Sequence, residues 1–175
     1  MSLTSSAPST ENPLTHFNQL DDSAAFEILF KVCHCQRWAQ QMVDARPFAS
    51  IENVQSSAAQ LWSTATEAEI LEAFLGHARI GDMNALKQKY SAASKEQGQV
   101  AAASDETIKA LFDENNEYFD KFGFIFIVFA SGKSADEMLA ILRSRIINTR
   151  EQELKNGAGE QQKITQLRLA QLLSC

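Results

Sequence analysis

Apolar side chains recur three and four positions apart along most of the chain, and that period makes helix the regular structure able to gather them on one buried face. Phe26, Leu29, Phe30 and Cys33, then Trp38 and Met42, follow it as one helix or a pair. Arg46-Pro47-Phe48 closes the run, because a proline disfavours helix at the residue before it. Ser50 is placed to cap Ile51, Val54, Ala58, Leu61 and Trp62. Thr66 with Glu69 reads as a capping box ahead of Ile70, Leu71, Phe74 and Leu75, with Gly76 as the expected terminator. A segment around Leu86 and Tyr90 and an Ala-rich stretch over residues 94–103 lead to Ser104, an N-cap with Asp105 and Glu106 in the first turn. Its helix carries Ile108, Leu111, Phe112 and Phe119 and should end near Lys121. Ser134 with Glu137 starts another, carrying Met138, Leu139, Leu142 and Ile146. The last stretch, Glu151 to Leu173, is expected to loosen near Gly157 and Gly159.

One run breaks the period. Phe122 to Ala130 is apolar at nearly every position, which predicts an extended segment buried on both sides, and no second strand is in sight to pair with it. With seven Gly and three Pro in 175 residues, the fold class is all-α: a single-domain bundle of about seven or eight helices with one buried extended apolar segment. Residues 1–14 read as a disordered tail and 15–175 as the domain.

Composition excludes several functions. Sixteen Lys and Arg against 22 Asp and Glu give a net charge of -6 without a basic stripe, which argues against nucleic acid as partner. The Phe122 to Ala130 run is far short of the roughly 20 residues that span a bilayer, so no membrane crossing is expected. Cys33, Cys35 and Cys175 form no disulfide framework, and a reducing compartment fits them. Cys33-His34-Cys35, read on a helix, spreads its side chains around the axis and lacks a second ligand pair, so these are expected to be core cysteines with a surface histidine and no metal site. A phosphate loop, a dinucleotide fingerprint and a nucleophilic serine motif are all missing, which leaves acid-base chemistry without a cofactor as the simplest enzymatic class.

Three residues are candidates for that chemistry. His77 follows Gly76 at a predicted helix end, where it either satisfies free carbonyls or faces a pocket. Glu96 sits in the small, polar stretch Ala93-Ser94-Lys95-Glu96-Gln97-Gly98, on a solvated helix face or at a site. Arg168 shares a helical stripe with Ile164 and Leu172 and is flanked by Leu167 and Leu169. A guanidinium there snorkels, meets a carboxylate, or faces an anion-binding pocket.

Phe17-Asn18-Gln19-Leu20, the Cys33 to Trp38 run, Arg46-Pro47-Phe48, Ala73-Phe74 with His77 and Arg79-Ile80-Gly81, Glu96-Gln97, Asn116 with Tyr118, Lys121-Phe122-Gly123-Phe124 and Leu167-Arg168-Leu169 occur in this order. The set resembles the OHCU decarboxylase family, which converts 2-oxo-4-hydroxy-4-carboxy-5-ureidoimidazoline (OHCU) to (S)-allantoin in the last step of urate breakdown. The resemblance implies an all-α fold, no metal or organic cofactor, and a homodimer. It makes His77 and Glu96 catalytic and implies that Ala78, Ser94, Gln97, Phe124, Ile125, Phe126, Ile127, Val128 and Arg168 bind substrate. Ala78 stands where the family usually has Pro, which removes a restraint on the turn that aims His77. Two other readings remain at this point: a helical interaction module without catalysis, and a decarboxylase of a related ureido acid. The C-terminal Leu173-Ser174-Cys175 is not the peroxisomal tripeptide, so a cytoplasmic protein is expected.

Overall fold

A computed structural model describes residues 12–79, 83–96 and 104–174, with the side chains of all of these except 91–96. The described residues form nine helices and no strand: α1 (Pro13–Gln19), α2 (Asp22–Val32), α3 (Gln36–Asp44), α4 (Ile51–Trp62), α5 (Glu67–Phe74), α6 (Met83–Glu96), α7 (Asp105–Phe122), α8 (Ala135–Arg145) and α9 (Arg150–Leu173). Their starts follow from side-chain caps. Asn12, Asp21, Ser50 and Ser104 each accept a hydrogen bond from a first-turn N–H, and Thr66–Glu69 and Ser134–Glu137 close reciprocal capping boxes.

The chain divides into two compact units, one comprising the residues up to Thr64 together with those from Thr165 onward, the other Ala65–Ile164. In the first, Trp38, fully buried, donates its indole N–H to Ala58 O at 3.1 Å and ties α3 to α4. Two of the motifs noted above form one structural device here. The Asn18 amide donates to Phe48 O and accepts from Phe48 N–H, both at 2.9 Å, while Arg46 donates to Phe17 O and Leu20 O and pairs with Asp22. The end of α1 and the start of α2 are thereby stapled to the link between α3 and α4. Gln55 and Gln166 join α4 to α9 in the same reciprocal way, each side-chain amide donating to the other's backbone carbonyl at 3.2 and 3.1 Å.

Among the described residues of the second unit, two apolar clusters form. Leu86, Tyr90, Ile108, Leu111, Met138 and Leu142 gather where α6, α7 and α8 meet. Phe74, Tyr118, Phe122, Phe124, Ile127 and Leu154 form the other, with the Phe74 and Phe124 rings 5.6 Å apart. Here the apolar run is resolved: α7 reaches Phe122, Gly123 takes a left-handed conformation at φ 78°, and residues 124–130 continue outside any helix or strand. Only Phe124 and Ile127 of this segment are buried and the rest are half-buried, so it covers the bundle rather than threading its centre.

Three local expectations need correction. Gly76 is not a left-handed terminator. Positive φ occurs only at Gly123 and Gly132 among the described glycines, and α5 ends in successive tight turns, Gly76 N–H to Ala73 O and His77 N–H to Phe74 O, each 3.1 Å. Cys33-His34-Cys35 lies in an extended link between α2 and α3 rather than on a helix; both cysteines are buried, and the His34 ring rests 4.1 Å from that of Phe30. Finally, α9 runs unbroken through Gly157 and Gly159. A Cβ on Gly157 would come within 2.7 Å of the Phe74 ring, so this glycine permits a close approach between α5 and α9 instead of weakening the helix.

Candidate active site

The tight turns after α5 bring His77 round toward α9. Its Nε2 lies 2.6 Å from Oε1 of Gln161, a glutamine with no exposed surface in the middle of that helix. The approach has a simple register. Phe74 and His77 are three residues apart at the end of α5, Gly157 and Gln161 four apart on α9, so ring-on-glycine contact at one level sets imidazole-on-amide contact at the next. His77 thus meets a side chain on another helix, beyond the carbonyls of its own.

Beside it opens a pocket of about 560 Å³, lined by Leu71, Phe74, Leu75, Phe119, Phe124 and Ile125 with Glu72, His77 and Arg79 as its charged or titratable groups. Arg79 is held in place twice. Its guanidinium stacks 3.9 Å from the Phe119 ring centroid and donates to Asn116 Oδ1 at 3.1 Å. Ala78 lines a small adjoining recess with Asn115, Ile125 and Phe126.

The 124–130 segment is pinned from behind. Arg145 donates to Ile127 O at 2.7 Å, and Phe129 N–H donates to Glu160 Oε2 at 2.7 Å. Arg145 also pairs with Glu153 at 2.8 Å and lies 4.8 Å from the Phe126 ring centroid. Glu153 is fully buried. Burial pushes its carboxyl up, but hydrogen bonds from Arg145, Tyr118, Asn148 and Asn156 outweigh that and hold it below the usual carboxylate range. The Tyr118 phenol donates to this carboxylate and is pushed up, first by burial and then by that bond. Glu160 is likewise held low, because its bonds from Lys163 and Phe129 N–H exceed the effect of burial. Val128 faces elsewhere, onto a second pocket of about 300 Å³ that it shares with Lys133, Arg145, Asn156, Glu160 and Lys163.

The structure therefore brings His77, Phe124 and Ile125 to one pocket, with Ala78 and Phe126 at its neighbour. Ile127 is a core residue. Ser94 and Glu96 fall on the last turn of α6 without described side chains, and Gln97 lies outside the described residues. Arg168 belongs to the first unit, half-buried, and donates from Nη1 to Val32 O at 3.0 Å. Sequence reasoning missed Gln161 and the Arg145–Glu153–Tyr118 cluster. Counting back in fours from Leu173 through Leu169 and Thr165 reaches Gln161 and was the available signal; the cluster had none, since its members come from three different helices. Among the described residues no group of three or more His, Cys, Asp or Glu is arranged to hold a metal ion, and no helix is long and apolar enough to cross a membrane.

Nine helices among the described residues, a histidine anchored at a pocket and a non-helical segment tied behind it define a small all-α protein whose pocket presents an imidazole. Comparison with known proteins agrees: the family described as OHCU decarboxylase matches residues 18–170, and this chain belongs to that family. It is 34% identical over 146 residues to the uric acid degradation bifunctional protein TTL of Arabidopsis thaliana, an alignment covering 81% of this chain and 45% of that protein. The chain thus matches less than half the length of that relative. It is 25% identical over 167 residues to the 2-oxo-4-hydroxy-4-carboxy-5-ureidoimidazoline decarboxylase of Haloferax volcanii, covering 94% of this chain and 98% of the other. A crystal structure of OHCU decarboxylase in the presence of (S)-allantoin superposes with a TM-score of 0.71 at 31% identity, over 89% of this chain and all of that one.

Proposed function

We propose that this chain converts OHCU to (S)-allantoin as a cofactor-free carboxy-lyase, with residues 15–175 acting as one decarboxylase domain and His77 as the acid-base group. The observation that carries the reading is the His77 imidazole at the edge of a pocket of about 560 Å³, with Nε2 anchored 2.6 Å from a buried amide oxygen. That volume is within the usual range for small-molecule sites.

The substrate supplies its own electron sink. When the C4–carboxylate bond breaks, its electron pair forms C4=C5 and the C5=N pair moves onto nitrogen, which takes up a proton. C5 then accepts a proton on one face as the C4 hydroxyl loses its own and becomes a carbonyl. The protein has to orient the ring, stabilise developing charge and deliver that proton to one face. A histidine, with an ordinary pKa near 6.5, is suited to the transfer. Glu96 polarises His77 or holds the C4 hydroxyl, Arg168 grips a carboxylate or amide oxygen, and Ala78, Ser94, Gln97 and the Phe124–Val128 backbone read the ring and ureido groups. Cys33 and Cys35, buried as thiols, suit a reducing cytoplasm, and the family resemblance supports a homodimer. Sedimentation of the purified protein as a monomer would remove the dimer.

The decisive experiment is circular dichroism of allantoin formed from freshly generated OHCU. Folded His77→Ala and His77→Asn proteins should lose about 10²- to 10⁴-fold in stereospecific turnover. Near wild-type turnover in either would take His77 out of the mechanism.

A further inference from the structure

His77 meets its anchor through an atom that only accepts. Gln161 has no exposed surface, and its Oε1 lies 2.6 Å from His77 Nε2, so the hydrogen between them sits on the ring nitrogen. Proton exchange by the imidazole then belongs to Nδ1, as a lone pair in the neutral ring and as N–H in the imidazolium. We propose that Gln161 is a positioning residue of this site, holding His77 as the Nε2–H tautomer and making Nδ1 the atom that gives and takes the proton. The inference rests on the reading of His77 as the acid-base group.

Two features support it. The contact is built by helix register: Gly157, one turn before Gln161, admits the Phe74 ring to a spot where a Cβ would come within 2.7 Å, and Phe74 lies three residues before His77. The anchor is also neutral, so it orients the ring without the full charge a carboxylate would add. Glu72 of α5 and Arg79 line the same pocket, whereas Glu160, next to Gln161 on α9, is committed to Phe129 N–H and Lys163. From α7 and the segment after it, Phe119, Gly123, Phe124 and Ile125 face the pocket, none of them titratable.

Two readouts on the full chain test the pair. In ¹⁵N-histidine-labelled wild-type protein, with His77→Asn to assign the signal among the three histidines, His77 should show a protonated Nε2 and an unprotonated Nδ1 at high pH. An Nδ1–H tautomer overturns the proposal. In turnover assays, Gln161→Glu should move the His77 limb of the pH profile upward by about one to three units, and Gln161→Leu should move it downward by about one. Gln161→Leu should also lower kcat about 10- to 100-fold with KM within about threefold. A packing role would not shift the limb in opposite directions, so shifts of the same sign, or none, overturn the proposal. If His77→Asn retains full turnover, the reading of His77 itself fails and Gln161 loses its role in catalysis, whichever tautomer the ¹⁵N spectrum shows.

Discussion

Arg168 shows how a single residue resists assignment from spacing. An arginine in an apolar stripe suggests a buried carboxylate or an open anion site, yet the bond observed is to a neutral backbone oxygen, Val32 O at 3.0 Å. The two functions of the side chain then separate cleanly in Arg168→Met, which keeps the apolar stem. Losing a bond with a charged donor and a neutral acceptor should lower stability by about 1.5 to 3 kcal/mol, below the roughly 3 to 5 kcal/mol expected when a buried carboxylate is stranded. If Arg168 also grips substrate, kcat/KM should fall about ten- to a hundredfold. Thermal denaturation and steady-state kinetics on this variant check both, and unchanged kcat/KM would end the substrate role.

At the level of elements, α9 organises the second unit through one face. Gly157 receives Phe74, Gln161 receives His77, and Glu153 receives Arg145 and Tyr118. Gly157→Ala illustrates the dependence. Helix propensity alone would favour alanine by about 1 kcal/mol, but its Cβ would meet a Phe74 ring that is 2% exposed and packed against Phe124. Overpacking of this kind typically costs about 1 to 3 kcal/mol, so the steric effect should win and the protein should melt lower. Turnover should fall with it, since the same shift displaces His77 from Gln161. A Gly157→Ala protein as stable and active as wild type would show that α5 can move away freely.

For the molecule as a whole, the acid limit of stability should trace to the carboxylates that tie α9 to its neighbours. Glu153 and Glu160 are both held below the usual range, and a depressed carboxyl contributes stability that is present above its unfolded pKa of about 4.3 and lost as pH falls through the folded value. Tm should stay level down to about pH 5 and drop below about pH 4, with a shallower drop in Glu153→Gln than in wild type. Arg145→Met, which leaves Glu153 buried without its cation, should cost about 3 to 5 kcal/mol at neutral pH. A pH–Tm curve of unchanged slope in Glu153→Gln would show that this carboxylate does not set the acid limit.

The sequence by itself determined the helices, because period and caps are local: Thr66 with Glu69 and Ser134 with Glu137 sit within one turn of each other and start α5 and α8 as read. It also singled out His77, through its position at the end of a capped helix. Tertiary structure alone decided what His77 touches, why Gly157 is a glycine, and that the Phe124–Ala130 segment is half-exposed and pinned by Arg145 and Glu160. Those facts depend on side chains 84 and 83 residues apart in the His77–Gln161 and Phe74–Gly157 pairs, and on which faces of α5 and α9 meet. A hydrophobic period specifies that a face is buried but carries no record of the face opposite, so pairings across helices become visible only once the bundle has packed.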